Sequence, residues 1–353
     1  MPQNASSSTG NQDWTARLTP TAARVVLVAL VLVTAVLVWI ALGITEPVRR
    51  AGPSDLDTYE RVVTALRAGQ GYYSALHEAL LDGGYGTLSP LNWRPPVFLT
   101  FLSWFPSLAL AQISLGIVTI ASWLLALTYA FRRGGLGYGA AAGLVMAASL
   151  IGIVGYRAEL SFELCAGTLI LISVCSYGLG VRWLGVAAGA LALFVRELAI
   201  IYVVACIIVA IRERKWRELS AWLVALVAYA AFYAWHVLQL TALLGPPDHA
   251  AATDWLQFGG LAFVLRAAAF NGALLAAPYW VAAVVLMLGL VGLKDLPRPA
   301  IAVGLYLLLF LVYGRPENEY WGALYAPLIA LGMVFAFPAL RSLVAAATPR
   351  RSS

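Results

Sequence analysis

The sequence is poor in charge. Of 353 residues only 11% are Asp, Glu, Lys or Arg while 61% are hydrophobic, and the mean hydropathy is +0.83. A soluble domain carries roughly a quarter charged residues, so that class is excluded and a polytopic membrane protein remains. Cysteine is scarce too. Cys165, Cys175 and Cys206 all lie inside apolar runs, without metal-type spacing or a disulfide framework, and read as packing residues. No basic stripe accompanies the net charge of +6, because the cations fall in short clusters between apolar runs, which argues against a nucleic-acid partner. A phosphate loop is missing as well: "GGLGYGAAAG" at 134–143 has the glycines but no Lys-Ser/Thr ending. The first apolar run, Arg24–Ile44, lacks a small-residue cleavage site and is too long for a signal-peptide core, so it is expected to be a retained span.

Apolar runs make up most of the chain. Residues 1–23 are polar and predict a flexible cytoplasmic tail, 24–340 a single transmembrane domain, and 341–353 a second cytoplasmic tail. The rule of about 20 apolar residues per span places helices near 24–44, 107–131, 137–154, 160–180, 218–243, 272–293, 299–313 and 322–340. The segment 183–211 is interrupted by Arg196 and Glu197, and two short helices meeting at that charged pair fit it best, either crossing twice or re-entering. The fold class expected is therefore all-α, with about ten transmembrane or re-entrant helices. Alternate turns collect Arg132, Arg133, Arg182, Arg212, Arg214, Lys215, Arg217, Lys294, Arg298 and Arg341, a positive-inside pattern that puts both termini in the cytoplasm and the loop 45–95 outside.

That outer loop holds two stretches of helical periodicity, Leu56, Tyr59, Val63, Leu66 and then Tyr72, Leu76, Leu80, which predict two short interfacial helices. Its first helix opens with "SDLDTYERV". Two readings of Asp55 are open: a carboxylate that stabilises the helix N-terminus, with Ser54 or Asp55 itself as the cap, or a working acid–base group. Asp57 is either a second working carboxylate or simply solvated. After the helices, "NWRPPVFLTFLSWFP" sets Arg94 at the interface, as an anchor or a phosphate ligand, and Pro95 and Pro96 stop any continuing helix.

These stretches together, the Asp-x-x-x-Tyr of Asp55 and Tyr59, then "AGQGYY", then "RPPVFLTFLSWFP", resemble the GT-C superfold of membrane glycosyltransferases. Within it the chain is most similar to bacterial polyprenol-phosphate-mannose-dependent α-mannosyltransferases and to the related lipid-A-type sugar transferases. The resemblance implies transfer of a hexose, mannose in the nearest group, from a polyprenyl-phosphate sugar donor to a lipid or glycan acceptor at the outer face of a bacterial cell membrane. It implies Asp55 as general base, with Asp57 auxiliary. The chain departs from the pattern where Glu197 follows Arg196 in place of Pro, and where "GYRAELSFEL" stands in place of a Gly-Gln-x-Asn-like stretch.

Sugar transfer from a phosphate leaving group needs a base for the acceptor hydroxyl and cations for the departing phosphate. Candidate substrate-binding residues are Tyr59, Arg94, Arg157, Glu159, Arg196 and Arg315, joined by Glu319 and Tyr320 from the polar cluster "YGRPENEYWGALYAP" at 313–327. Glu159 and Glu163, four apart, either line a cavity with Arg157 or pair with an arginine of another helix. His236 is expected to be hydrogen-bonded in the bundle, and His77 and His249 have no partner at metal spacing. No cofactor is called for. The Asp55-Leu-Asp57 pattern leaves dependence on a divalent metal open. The rival class is a lipid-linked sugar flippase or other transporter, against which stand the absence of an inverted repeat and the concentration of polar residues on one side.

Overall fold

Thr19 and Pro20 start the first helix: the Thr19 Oγ1 accepts the Ala22 N–H at 3.2 Å, and Pro20 occupies the first helical position, where its missing N–H costs nothing. The helix, α1 (Pro20–Leu42), turns Val28, Leu32 and Trp39 outward, each more than half exposed. An apolar face of that kind is stable only against lipid. The structure, a computed structural model, describes residues 18–45, 54–155, 157–251 and 257–348. Of the expected tail at 1–23, residues 1–17 lie outside the described residues, as does the start of the outer loop at 46–53, while Pro20 to Ala23 already belong to α1 and so start the first helix before the boundary set at 24.

Everything regular among the described residues is helical. After α1 come two interfacial helices, α2 (Asp55–Arg67) and α3 (Tyr72–Asp82), as the loop periodicity predicted, and then α4 (Pro96–Ser103). The long helices α5 (Leu108–Gly134) and α6 (Leu136–Leu150) follow as an antiparallel pair. Next are α7 (Phe162–Gly178), α8 (Arg182–Val195), α9 (Ile200–Arg212) and α10 (Trp216–Thr241). The C-terminal third is α11 (Gly260–Ala269), α12 (Tyr279–Gly292), α13 (Pro297–Val312) and α14 (Ala326–Ala347). Five helices, α1, α5, α6 with its short extension, α10 and α14, are long and apolar enough to span a bilayer alone.

Four sequence expectations change. Pro95 and Pro96 do not merely end a helix: Pro96 is the first residue of α4. The single helix expected at 272–293 is broken at Ala277 and Pro278, leaving a short 3-10 turn, Gly272–Ala276, before α12. That expected at 322–340 begins as a 3-10 segment, Pro316–Leu324, and its α-helical part runs on to Ala347, past the boundary set at 340. Helix α11 was not expected at all, since its 10 residues fall below the span length.

The interrupted segment behaves as expected. Helices α8 and α9, 14 and 13 residues long, reach about 20 Å each at 1.5 Å per residue and meet at Arg196 and Glu197. They form a hairpin that stops short of the roughly 30 Å of hydrocarbon. Its tip meets α7, which is buried along nearly its whole length and carries apolar residues all round. Helix α7 also supports the 316–324 turn at very close range: a Cβ on Gly167 would sit 2.1 Å from the Ala323 carbonyl oxygen, so only glycine fits. The helix order alternates direction, so Asp55, Arg196 and the 316–324 turn share one end, while the basic turns share the other.

Candidate active site

The first turn of α2 gives the two aspartates different partners. Ser54 is the N-cap: its Oγ accepts the Asp57 N–H at 3.3 Å, and Asp57 Oδ2 accepts the Ser54 N–H at 2.6 Å and the hydroxyl at 2.7 Å. This reciprocal capping box satisfies two amides that the helix itself leaves bare. Asp57 is further bound by Arg157, whose Nη1 donates to Oδ1 at 2.6 Å. Arg157 also donates to the Leu56 carbonyl at 3.1 Å and to Glu60. It takes up this position with φ at 60°, a left-handed backbone uncommon outside glycine. The Arg157 guanidinium, with help from Ser54, holds the Asp57 carboxyl far below the usual carboxylate range. Asp57, Glu60, Arg61, Thr64 and Arg157 line an open cleft of about 640 Å³.

Asp55 faces a different set of partners. Its Oδ1 accepts the Tyr85 hydroxyl at 2.7 Å and its Oδ2 the Tyr320 hydroxyl at 3.1 Å. Burial, followed by the Asp55 charge, pushes both phenols up, so they remain neutral donors. Asp55 itself is half-buried. Residues two apart on a helix point about 200° apart, which is why one turn can offer Asp57 to the capping box and Asp55 to the interior.

Behind Asp55 lies a ladder of charge. Arg94 is 6% exposed and donates through Nε to the Tyr59 hydroxyl at 3.0 Å, and through Nη1 to Glu197 at 3.3 Å and the Leu91 carbonyl at 3.4 Å. Glu197 Oε1 also accepts from Arg196, and Arg196 Nε lies 2.6 Å from Glu163 Oε1. Arg196 is 1% exposed. Buried charge is costly unless paired, and here two guanidinium groups and two carboxylates neutralise each other. Tyr320 connects this ladder to Asp55, having Asp55, Glu163, Arg94 and Tyr59 as its electrostatic neighbours.

Of the residues singled out from the sequence, Asp55, Tyr59, Arg94, Arg196 and Tyr320 are thus brought together. Asp57 and Arg157 sit on the other side of α2. Arg315 pairs with Glu317 at 2.9 Å in the turn that carries Tyr320, and Glu319 is half-buried in the same turn. Glu159 is buried in a short 3-10 turn, its Oε2 without a hydrogen-bond partner among the described residues. Sequence reasoning missed Tyr85, and it saw Glu197 as half of the charged pair that breaks 183–211 and as a substitute for proline, not as a partner of Arg94. Glu163 takes the second of its two readings, pairing with an arginine from another helix. His236 is held as expected, by Tyr73 at 3.0 Å and the Trp93 carbonyl at 3.1 Å. His77, which has no partner at metal spacing in the sequence, bonds Asp248 at 2.7 Å and ties α3 to the 245–251 loop.

Asp55 and Asp57 do not converge, so the Asp-Leu-Asp pattern presents no pair of carboxylates to one ion. Among the described residues no three His, Cys, Asp or Glu side chains are placed to hold a metal. No family model and no curated protein matches the sequence. Among solved structures the chain is similar to ArnT from Cupriavidus metallidurans in the apo state, with 17% identity and a TM-score of 0.49. The match covers 91% of this chain and 60% of that one, so the present chain spans about three fifths of the length of ArnT. At that level the function has to be argued from this chain's own residues.

Proposed function

We propose that the protein is a membrane glycosyltransferase that moves a hexose from a polyprenyl-phosphate donor to a hydroxyl of a lipid or glycan acceptor, with Asp55 as general base. The observation that carries this reading is the division of labour on α2: capping and ion pairing fall to Asp57, while Asp55 is held by two neutral phenols. Phenols orient a carboxylate without discharging it, and each Asp55 oxygen keeps a lone pair for an incoming hydroxyl. The acceptor oxygen gives its proton to Asp55 and attacks the anomeric carbon. The bond from that carbon to the phosphate oxygen breaks, and the electron pair leaves with the phosphate.

Arg94 is the cation best suited to meet that phosphate. Its contacts to Glu197 and Leu91, at 3.3 and 3.4 Å, are long for charge-assisted hydrogen bonds, so the guanidinium can exchange them for phosphate oxygens at small cost. Inversion at the anomeric carbon follows, with no covalent sugar–protein intermediate. The resemblance of the first outer loop to mannosyltransferases favours mannose as the sugar. The basic turns gathered at the end opposite Asp55 favour an outward-facing site with both termini in the cytoplasm of a bacterial cell.

The deciding experiment is transfer from a radiolabelled polyprenyl-phosphate mannose in membranes carrying wild-type or Asp55→Asn protein. A positioned base contributes about 10²–10⁴-fold, and a loss of that size at unchanged protein level is expected. Undiminished transfer by the variant removes Asp55 from the reaction.

A further inference from the structure

At the opposite end of the α8–α9 hairpin, about 20 Å from Arg196, lies a second cavity, unrelated to the Asp55 cluster. It has a volume of about 300 Å³ and is walled by Arg182, Trp183, Lys215, Trp216, Arg217 and Glu218. Three cations thus face one carboxylate. That carboxylate is already neutralised from beneath, because Glu218 is bound by Arg298 at 2.6 Å and both are buried. Lys215 shares its charge with Glu213 at 2.5 Å. Arg182 and Arg217 are exposed, and among the described residues neither has a carboxylate within ion-pair distance. The cavity therefore carries two uncompensated guanidinium groups. The first turns of α8 and α10 open beside it, neither with a side-chain cap, and their amides add to the positive potential.

We propose that this cavity binds the phosphate of an anionic phospholipid from the surrounding leaflet. A guanidinium pair matches phosphate oxygens in charge and geometry. The choice of a lipid over a free phosphate rests on what borders the cavity. Trp183 and Trp216 stand at its mouth, 63% and 62% exposed, and tryptophan settles at the headgroup level of a bilayer. Further along the same two helices, Leu184 and Leu191 on α8 and Leu223, Val224 and Val227 on α10 are all substantially exposed and offer apolar surface to acyl chains. Basic pockets between membrane helices are a recurrent way of holding such headgroups. The lipid would brace the open ends of the hairpin whose tip carries Arg196 and Glu197.

The test is binding to the full-length protein in detergent, followed by native mass spectrometry and thermal shift, with phosphatidylglycerol, phosphatidylcholine of the same chains, and inorganic phosphate. Phosphatidylglycerol is expected to bind at least about tenfold more tightly than phosphatidylcholine, and phosphate alone to give no shift. The double variant Arg182→Gln, Arg217→Gln should weaken phosphatidylglycerol by about ten- to thirtyfold, the loss expected for two cations near a charged headgroup. The double variant Arg132→Gln, Arg341→Gln removes the same charge from exposed sites at the same end and should change little. Equal binding of the two lipids, equal losses in both double variants, or equal protection by inorganic phosphate would each overturn the assignment.

Discussion

Two carboxylates in one turn of α2 have opposite lives. Asp57 is fully engaged, its oxygens shared between the Ser54 cap and the Arg157 guanidinium on a rim open to water. Asp55, two residues earlier, is half-buried and among the described residues receives the hydroxyls of Tyr85 and Tyr320. The difference teaches that capping and catalysis need not compete for one residue: a capping box supplied by the third helical position frees the first to turn inward. Asp55→Asn puts this to its hardest test. Transfer should fall by about 10²–10⁴-fold with the helix intact, because the amide oxygen can still accept from one phenol and the amide NH2 can donate to the other, but the amide cannot take a proton.

The ladder behind Asp55 is the next place to strike. Without Glu163 the two buried guanidinium groups of Arg94 and Arg196 share Glu197 alone, and a buried charge left in excess costs up to about 3–5 kcal/mol. Glu163→Gln should therefore lower the thermal unfolding temperature of the purified protein far more than the same change at the exposed Glu60, whose arginine keeps Asp57 as a partner. Comparable shifts for the two variants would mean that the ladder does not hold the hairpin tip in place.

The phenols come third. Tyr320→Phe and Tyr85→Phe each remove one hydrogen bond to Asp55, of about 1 kcal/mol, and should slow transfer by about fivefold with only a small change in the unfolding temperature. The phenol-to-phenyl change keeps the ring packing, so a collapse of the fold in either variant would argue that the tyrosines serve structure and not the placement of Asp55.

How much of this was readable beforehand depends on how far the signal reaches along the chain. The spans, the two interfacial helices and the break at Arg196 and Glu197 are local patterns, and each was visible in a window of 10 to 30 residues, roughly the length that periodicity can report on. The ladder was not, because Arg94 and Glu197 are 103 residues apart, and neither was the Arg157–Asp57 pair on the other side of α2, whose members are 100 apart. Nothing local to Glu197 says that it will meet Arg94. Tyr85 follows Gly83 and Gly84 in a turn whose sequence says only that the chain bends there. Helix α11 escaped for another reason: a short apolar helix packed inside a bundle obeys neither the length rule for spans nor the amphipathic rule for surface helices.

Asp57→Asn should have the smallest effect, and its form is what sharpens the comparison. The folded protein holds the Asp57 carboxyl far below its ordinary value of 3.8, so the group's stabilising contribution is complete above about pH 4 and is lost as the pH falls through the folded value. Wild-type protein should therefore be more stable than Asp57→Asn at neutral pH, and the gap between their unfolding temperatures should narrow steadily from pH 4 downward. Transfer at neutral pH should drop by less than about threefold, since the Ser54 cap and the Glu60 contact with Arg157 both persist. A variant as inactive as Asp55→Asn would show that the two carboxylates work together, and the division of α2 into a capping side and a catalytic side would have to be abandoned.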